Sequence, residues 1–281
     1  MPTVLDWKKI DPRKDFRYSP PKQAQGHAGY SVRVEVFDNE TGRTQPFIHQ
    51  APALSLPFGL SSKESANGIR YMAVFSFPTV RRDPSTGDFH GDPDTLKYMK
   101  FIEDIDNCNK EKAVDQCQTW FKKSKTRTVI DEFYFHNLYV GEKAMTGEYS
   151  PTFTSKLQYY REKWESKFFR REENGKIGDV QYEDLSGSFR KVIPILETTG
   201  MWFAGKQFGM SFRVVQLLVF AQDKFEGCVI NTEAMMDYEE VERPMTIKLD
   251  VEDAKESSSS SYIPASSIEQ VPVATRLDED P

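Results

Sequence analysis

Cysteine is scarce: the 281 residues hold three, Cys108, Cys117 and Cys228. That number excludes a secreted disulfide scaffold, and no C-x-x-C is present, so the thiols read as reduced. The four histidines, His27, His49, His90 and His136, match no ligand spacing, which argues against a zinc site. Nowhere do about 18 apolar residues run together, so no transmembrane helix is expected. Residues 1–16 carry charges where a signal peptide needs an apolar run. Catalytic patterns are missing too. There is no G-x-S-x-G and no local Cys/His pairing. Gly200, Gly205 and Gly209 lie in no strand–loop–helix with a following Lys-Ser or Lys-Thr, so a phosphate-cradling loop is weak. Glu103, Asp104 and Asp106 read as a solvated helix face rather than a metal cluster. The expectation is a chain with no enzymatic activity, no metal and no cofactor.

What is present is aromatic and charged. Hydrophobic residues make up 38% and aromatics 13%, with 20 Phe and 12 Tyr. Few aliphatics and many rings point to a sheet protein with a modest core. The net charge of −6 is unevenly placed. Residues 231–281 hold 13 acids and 4 bases, a net of −9, and leave residues 1–230 at +3. The same segment carries a serine run, Ser257 to Ser261, and prolines at 264 and 272. It reads as a disordered acidic tail, because it has too little apolar surface to offset its ordering entropy. Such a tail either keeps the chain soluble or competes for a basic groove and recruits basic partners.

Along the body, residues 1–28 are polar and punctuated by prolines, and read as a flexible arm. Residues 29–230 read as one domain. Val32, Val34 and Val36 alternate with charged residues at period two. Residues 47–56 read as extended, broken by Pro52. Residues 69–77 read as a strand buried on both faces. A helical insertion follows near 94–125. Asp94 caps one helix, in which Leu96, Met99, Ile102 and Ile105 recur, and Asn109 caps a second. Residues 128–140 and 149–159 return to extended character. Residues 191–196 and 212–220 form a closing hairpin around a turn region at 200–209. In its last strand Phe212, Val214, Gln216, Leu218 and Phe220 share a face. The fold expected is mainly β with a helical insertion: an OB-fold-like small barrel, followed by the disordered tail.

Residues 156–176 hold seven bases and five rings. Bases of single-stranded nucleic acid stack on rings while cations neutralise phosphates, so Lys156, Tyr159, Arg161 and Lys163 are candidates. Leu157, Tyr160, Trp164 and Phe168 also fall at three-to-four spacing, which would bury a helix face instead. The hairpin adds Trp202, Phe203, Lys206 and Arg213. Neighbours on a strand face opposite ways, so at most one of Trp202 and Phe203 reaches a base.

Several stretches carry a resemblance. Val192 to Leu196 leads through Gly200-Met201-Trp202-Phe203 to Lys206-Gln207-Phe208-Gly209, then Phe212 to Gln216. This is similar to the C-terminal signature of the single-stranded DNA-binding proteins of nucleocytoplasmic large DNA viruses, a family similar in turn to phage OB-fold proteins. Gln50-Ala51-Pro52 with Leu56 to Leu60, then Tyr71 to Phe77, then Tyr149 to Thr152 with Lys156 resemble its earlier signatures. The resemblance implies a non-catalytic barrel without cofactor that coats single-stranded DNA in viral replication, recombination or repair. It implies replication proteins as partners of the acidic tail, allows a homodimer, and implies no membrane. It places the protein inside the cell, at a replication site in host cytoplasm or nucleus, or in the virion. A virion structural or interaction protein on the same barrel is the alternative.

Overall fold

The computed structural model describes residues 3–23, 29–38, 41–65, 68–185 and 187–220. The chain divides into two units, Met1–Lys224 and Phe225–Pro281, and the second lies wholly outside the described residues. The expected acidic tail, 231–281, therefore lies outside them as well.

Seven strands and one helix position the site: β1 (Ile48–Gln50), β2 (Leu54–Leu56), β3 (Gly68–Ser76), α1 (Pro93–Asp115), β4 (Thr152–Leu157), β5 (Lys167–Arg171), β6 (Phe189–Ala204) and β7 (Gln207–Phe220). β1 and β2 are the two halves of the expected strand, separated around Pro52. Their partners close a ring. β2 pairs with β3 and β3 with β4, both antiparallel. β4 runs parallel to β7, at Ser155↔Phe212 and Lys156↔Arg213. β7 returns antiparallel on β6, and β6 pairs back onto β1 and β2. With β1 and β2 counted as one strand, this is a five-stranded barrel whose third and fifth strands are parallel, the OB arrangement. Closure leaves no free edge within the ring. The mainly β expectation, with its helical insertion, holds.

The interior follows from period-two alternation. Leu54, Leu56, Ala73, Phe75, Phe153, Val192, Leu196, Phe212 and Val214 are all buried. In β7 the alternation breaks. Leu196 pairs with Val214 but Ile195 pairs with Gln216, so Val215 is an extra residue. This bulge moves Leu217 and Val219 to the interior, and Gln216 and Leu218 to the outside. The single face expected for 212–220 is therefore two faces joined by a bulge. The turn region expected at 200–209 is strand except at Gly205 and Lys206. Gly200, at φ +89, lies in a second irregularity of β6, where an added Cβ would stand 2.5 Å from the Val32 carbonyl oxygen.

α1 is capped by Asp92, whose side chain accepts from the Thr95 N–H, with Pro93 opening the first turn. Asp94 and Asn109 cap nothing. Asn109 sits mid-helix and buried, accepting from the Tyr18 hydroxyl at 2.8 Å and donating to the Tyr134 hydroxyl at 3.1 Å. Asp106 is buried too, not solvated as its neighbours suggested. It accepts from the Tyr134 hydroxyl, the Asn137 amide and backbone N–H, and the Leu138 N–H. Desolvation still dominates these bonds and raises its pKa. Of residues 128–140, expected to be extended, those up to 133 belong to a short helix, Arg127–Phe133, capped by Thr126.

The N-terminal residues are no arm. Trp7 and Phe16 are buried, and Trp7 meets the ring of Tyr98 edge-on at 5.0 Å. Phe16–Tyr18 pairs with the strand Val34–Asp38, and Asp6 and Asp11 cap short helical turns. The prolines that read as linker punctuation include Pro12, buried at a helix start. Residues 24–28 of the expected arm lie outside the described residues.

Candidate nucleic-acid interface

Pairing register assembles the interface. On the outer face of the barrel, Ser61 stands opposite Met72, Met72 opposite Lys156, Lys156 opposite Arg213, and Arg213 opposite Glu197. At about 4.8 Å between strands, this row of five crosses roughly 19 Å of sheet. Beside it, Lys63 of the strand Leu60–Ser65 faces Arg70 of β3. The residues between them in sequence, Ala73, Ser155, Phe212 and Val214, point inward. The strand 69–77 is thus buried on one face only, with Arg70 on the open side.

Arg70 is close enough for its charge to act on Lys156. Desolvation first, and then the charge of Arg70, lowers the Lys156 pKa. Neither makes an ion pair among the described residues. Two neighbouring cations without a counter-ion among the described residues form a site that gains from an anion. Arg213 differs. Its Nη2 and Nε reach Glu197 Oε2 at 2.7 and 2.9 Å, and its Nη1 donates to Gln158 Oε1.

A cleft of about 480 Å³ opens beside this row, lined by Lys156, Leu157, Gln158, Tyr159, Tyr160, Glu165, Thr199 and Arg213. Its rim is a hairpin, Tyr159–Tyr160 paired with Lys163–Trp164. The hairpin is pinned to the barrel through buried Ser166, whose hydroxyl accepts from the Gln158 N–H at 2.9 Å and donates to the Val214 carbonyl at 2.6 Å. The helical reading of Leu157, Tyr160, Trp164 and Phe168 fails, because these residues sit on successive strands. Leu157 and Phe168 are buried. Trp164 stacks on Tyr182 at 4.3 Å. Tyr159 and Tyr160 stay exposed, and the Arg161 guanidinium lies 5.0 Å over the Tyr160 ring.

Five of the eight expected residues, Lys156, Tyr159, Arg161, Lys163 and Arg213, come together at the cleft or on its rim. Three do not. Phe203 is buried, stacked on Tyr30 at 4.3 Å and on Phe208 at 5.6 Å, so it is a core residue. Trp202 points outward, half-buried, 6.0 Å from the exposed ring of Phe135. Its partner Gly209 is four residues from Arg213, roughly 13 Å along the strand. Lys206 is exposed in the turn, seven residues and roughly 23 Å from Arg213. Sequence reasoning missed Arg70, Lys63 and Tyr160. The alternation of Arg70 and Met72 with Tyr71 and Ala73 was the available signal for Arg70.

Among the described residues no three His, Cys, Asp or Glu side chains gather as a metal site, and no helix is long and apolar enough to cross a membrane. Residues 94–228 match a family described as a family of unknown function, DUF5871. No curated protein matches the sequence. Among solved structures, the chain is similar to gp2.5, a single-stranded DNA-binding protein encoded by bacteriophage T7, at 12% identity and a TM-score of 0.39, over 76% of this chain and 100% of that one. It is also similar to the single-stranded DNA-binding protein of bacteriophage Enc34, at 10% identity and a TM-score of 0.34, over 79% and 99% of the two chains. The complex of the Enc34 protein with single-stranded DNA gives 8% identity and a TM-score of 0.35, over 75% and 99%.

Proposed function

We propose that the chain binds single-stranded DNA, without catalysis, across the outer face of β3, β4 and β7. The observation that carries this reading is the pair Lys156 and Arg70, two cations on one face that meet no carboxylate among the described residues, beside a cleft rimmed by the exposed rings of Tyr159 and Tyr160. Phosphates satisfy the cations, and bases stack on the rings. A duplex keeps its bases stacked internally and cannot use the rings. The role we assign is coating of single strands in replication, recombination or repair in a large DNA virus. The −9 segment 231–281 then competes for the cationic face when DNA is absent and meets replication proteins when it is displaced.

The deciding experiment is titration of a labelled mixed-sequence single strand over a range of salt. Lys156→Ala and Arg70→Ala should each weaken binding and reduce the slope of log K against log salt by about 0.7. Deleting residues 231–281 should tighten binding, most at low salt, where charges are least screened. No binding at low salt by either form overturns the reading. It would favour the alternative of a virion structural protein, which the Glu197–Arg213 pair also suits, since that pair removes one cation from the face.

A further inference from the structure

We propose that the cleft seats one unstacked base and selects bases that carry an exocyclic amino group, with Glu165 as the reading residue. This rests on the single-strand reading above.

The volume of about 480 Å³ falls within the range of small-ligand pockets, roughly 300–1,000 Å³, and suits one nucleotide rather than a stacked run. Its floor is the buried side chain of Leu157 and its rim carries the tyrosine rings. Most of its polar groups are already engaged. Arg213 is held by Glu197 and Gln158, and the Gln158 oxygen accepts from Arg213. Thr199 Oγ1 donates to the Ser211 carbonyl at 3.1 Å. Lys156 is the phosphate ligand.

Glu165 is the one acidic side chain on the lining, and it is not engaged. Its carboxylate makes no hydrogen bond and no ion pair among the described residues. Its backbone is fixed, because its N–H donates to the Gln158 carbonyl at 2.9 Å across the hairpin. A carboxylate accepts and cannot donate. In a cleft that receives a phosphodiester chain, such a group repels phosphate and is favourable only where it meets a donor. The exocyclic amines of cytosine, adenine and guanine are such donors, whereas thymine has the carbonyl O4 where cytosine has its amine, and its one donor, the ring N3–H, lies between two carbonyl oxygens. The hairpin holds Glu165 on the cleft wall, and the tyrosine rings tolerate any base, so selection falls to the carboxylate.

The test is fluorescence anisotropy of the full chain with oligo-dC and oligo-dT of equal length at one salt concentration. Oligo-dC should bind roughly five- to tenfold more tightly. Glu165→Gln, an exposed and isosteric change, should bring the two affinities within about twofold, by tightening oligo-dT more than oligo-dC. A general repulsive role for Glu165 would tighten both equally and leave their ratio unchanged, which would overturn the proposal. Equal affinity of the unaltered protein for both oligonucleotides would overturn it while leaving single-strand binding intact. Failure to bind either would overturn the single-strand reading, and this proposal with it.

Discussion

Arg213 of β7 and Glu197 of β6 stand opposite each other across the barrel wall, with the guanidinium making two bonds to one carboxylate oxygen. The pair is partly shielded, with Glu197 the more buried of the two. Its geometry withholds Arg213 from phosphates. Arg213→Ala is therefore expected to leave the salt slope unchanged, and Glu197→Gln to steepen it by about 0.7 and raise affinity at low salt. Salt titration of both variants checks this. A flattened slope for Arg213→Ala would mean that DNA takes the arginine from its carboxylate.

The two neighbours at the hairpin end should separate cleanly. Phe203→Ala empties a site among Tyr30, Trp120, Phe121 and Phe208, and should cost about 3–5 kcal/mol of stability. Trp202→Ala, on the outer face, should cost roughly 1–2 kcal/mol and leave a folded barrel. Urea unfolding of the two variants is the measurement.

Acid should destabilise the barrel through His49. Its ring is fully buried, stacked on Phe47 at 4.4 Å with Nε2 2.8 Å from the Tyr98 hydroxyl, and Nδ1 finds no partner among the described residues. Burial lowers its pKa from 6.5 to about 3. Between those values the unfolded chain takes up the proton and the folded one does not, so stability is complete above pH 6.5 and lost as pH falls towards 3. The loss is roughly 1.4 kcal/mol per pH unit. His136, also lowered by desolvation, acts in the same direction, whereas Asp106, raised, acts in the opposite one. Unfolding midpoints of the protein and of His49→Gln between about pH 7 and 4.5 isolate the contribution: the variant should lose most of the slope.

The tip of the cleft hairpin is strained. Arg161 and Glu162 adopt φ of +50 and +61, a conformation that two-residue hairpin turns require and that an Asn-Gly pair supplies at little cost. The double change Arg161→Asn with Glu162→Gly should stabilise the domain by about 1–2 kcal/mol. Loss of the Arg161 cation over Tyr160 should at the same time weaken DNA binding. Thermal unfolding and a binding titration of the double variant together test whether the strain is kept for its side chains.

The features legible in the sequence were those set by local pattern. Val32, Val34 and Val36 are buried as their alternation required, and Leu96, Met99, Ile102 and Ile105 lie on one helix where their spacing placed them. The features that escaped depend on partners far along the chain. Nothing near Lys156 announces Arg70, because their proximity is a property of the register of β3 on β4. The bulge at Val215 reverses a face without leaving any break in composition. Asp106 reads like Glu103 and Asp104 until Tyr134 and Asn137 fold over it. In the N-terminal residues Trp7 and Phe16 are too few and too irregularly spaced to show a period, yet each fills a place in the core.

How the ring closes sets how long its first strand waits for a partner during synthesis. β1 finds its partner in β6, and Gln50 must wait for Ile195, about 145 residues later. At roughly 5–20 residues per second, that wait is roughly 7–30 s of synthesis. During it β2, β3 and the strand Leu60–Ser65 can pair with one another and, once it is made, β3 with β4, but the apolar faces of β1 and β2 lack the wall that β6 and β7 will supply. The nascent chain is therefore committed to finish almost the whole domain before its first barrel strand is sheltered, and that interval is where a holding chaperone has the most to protect.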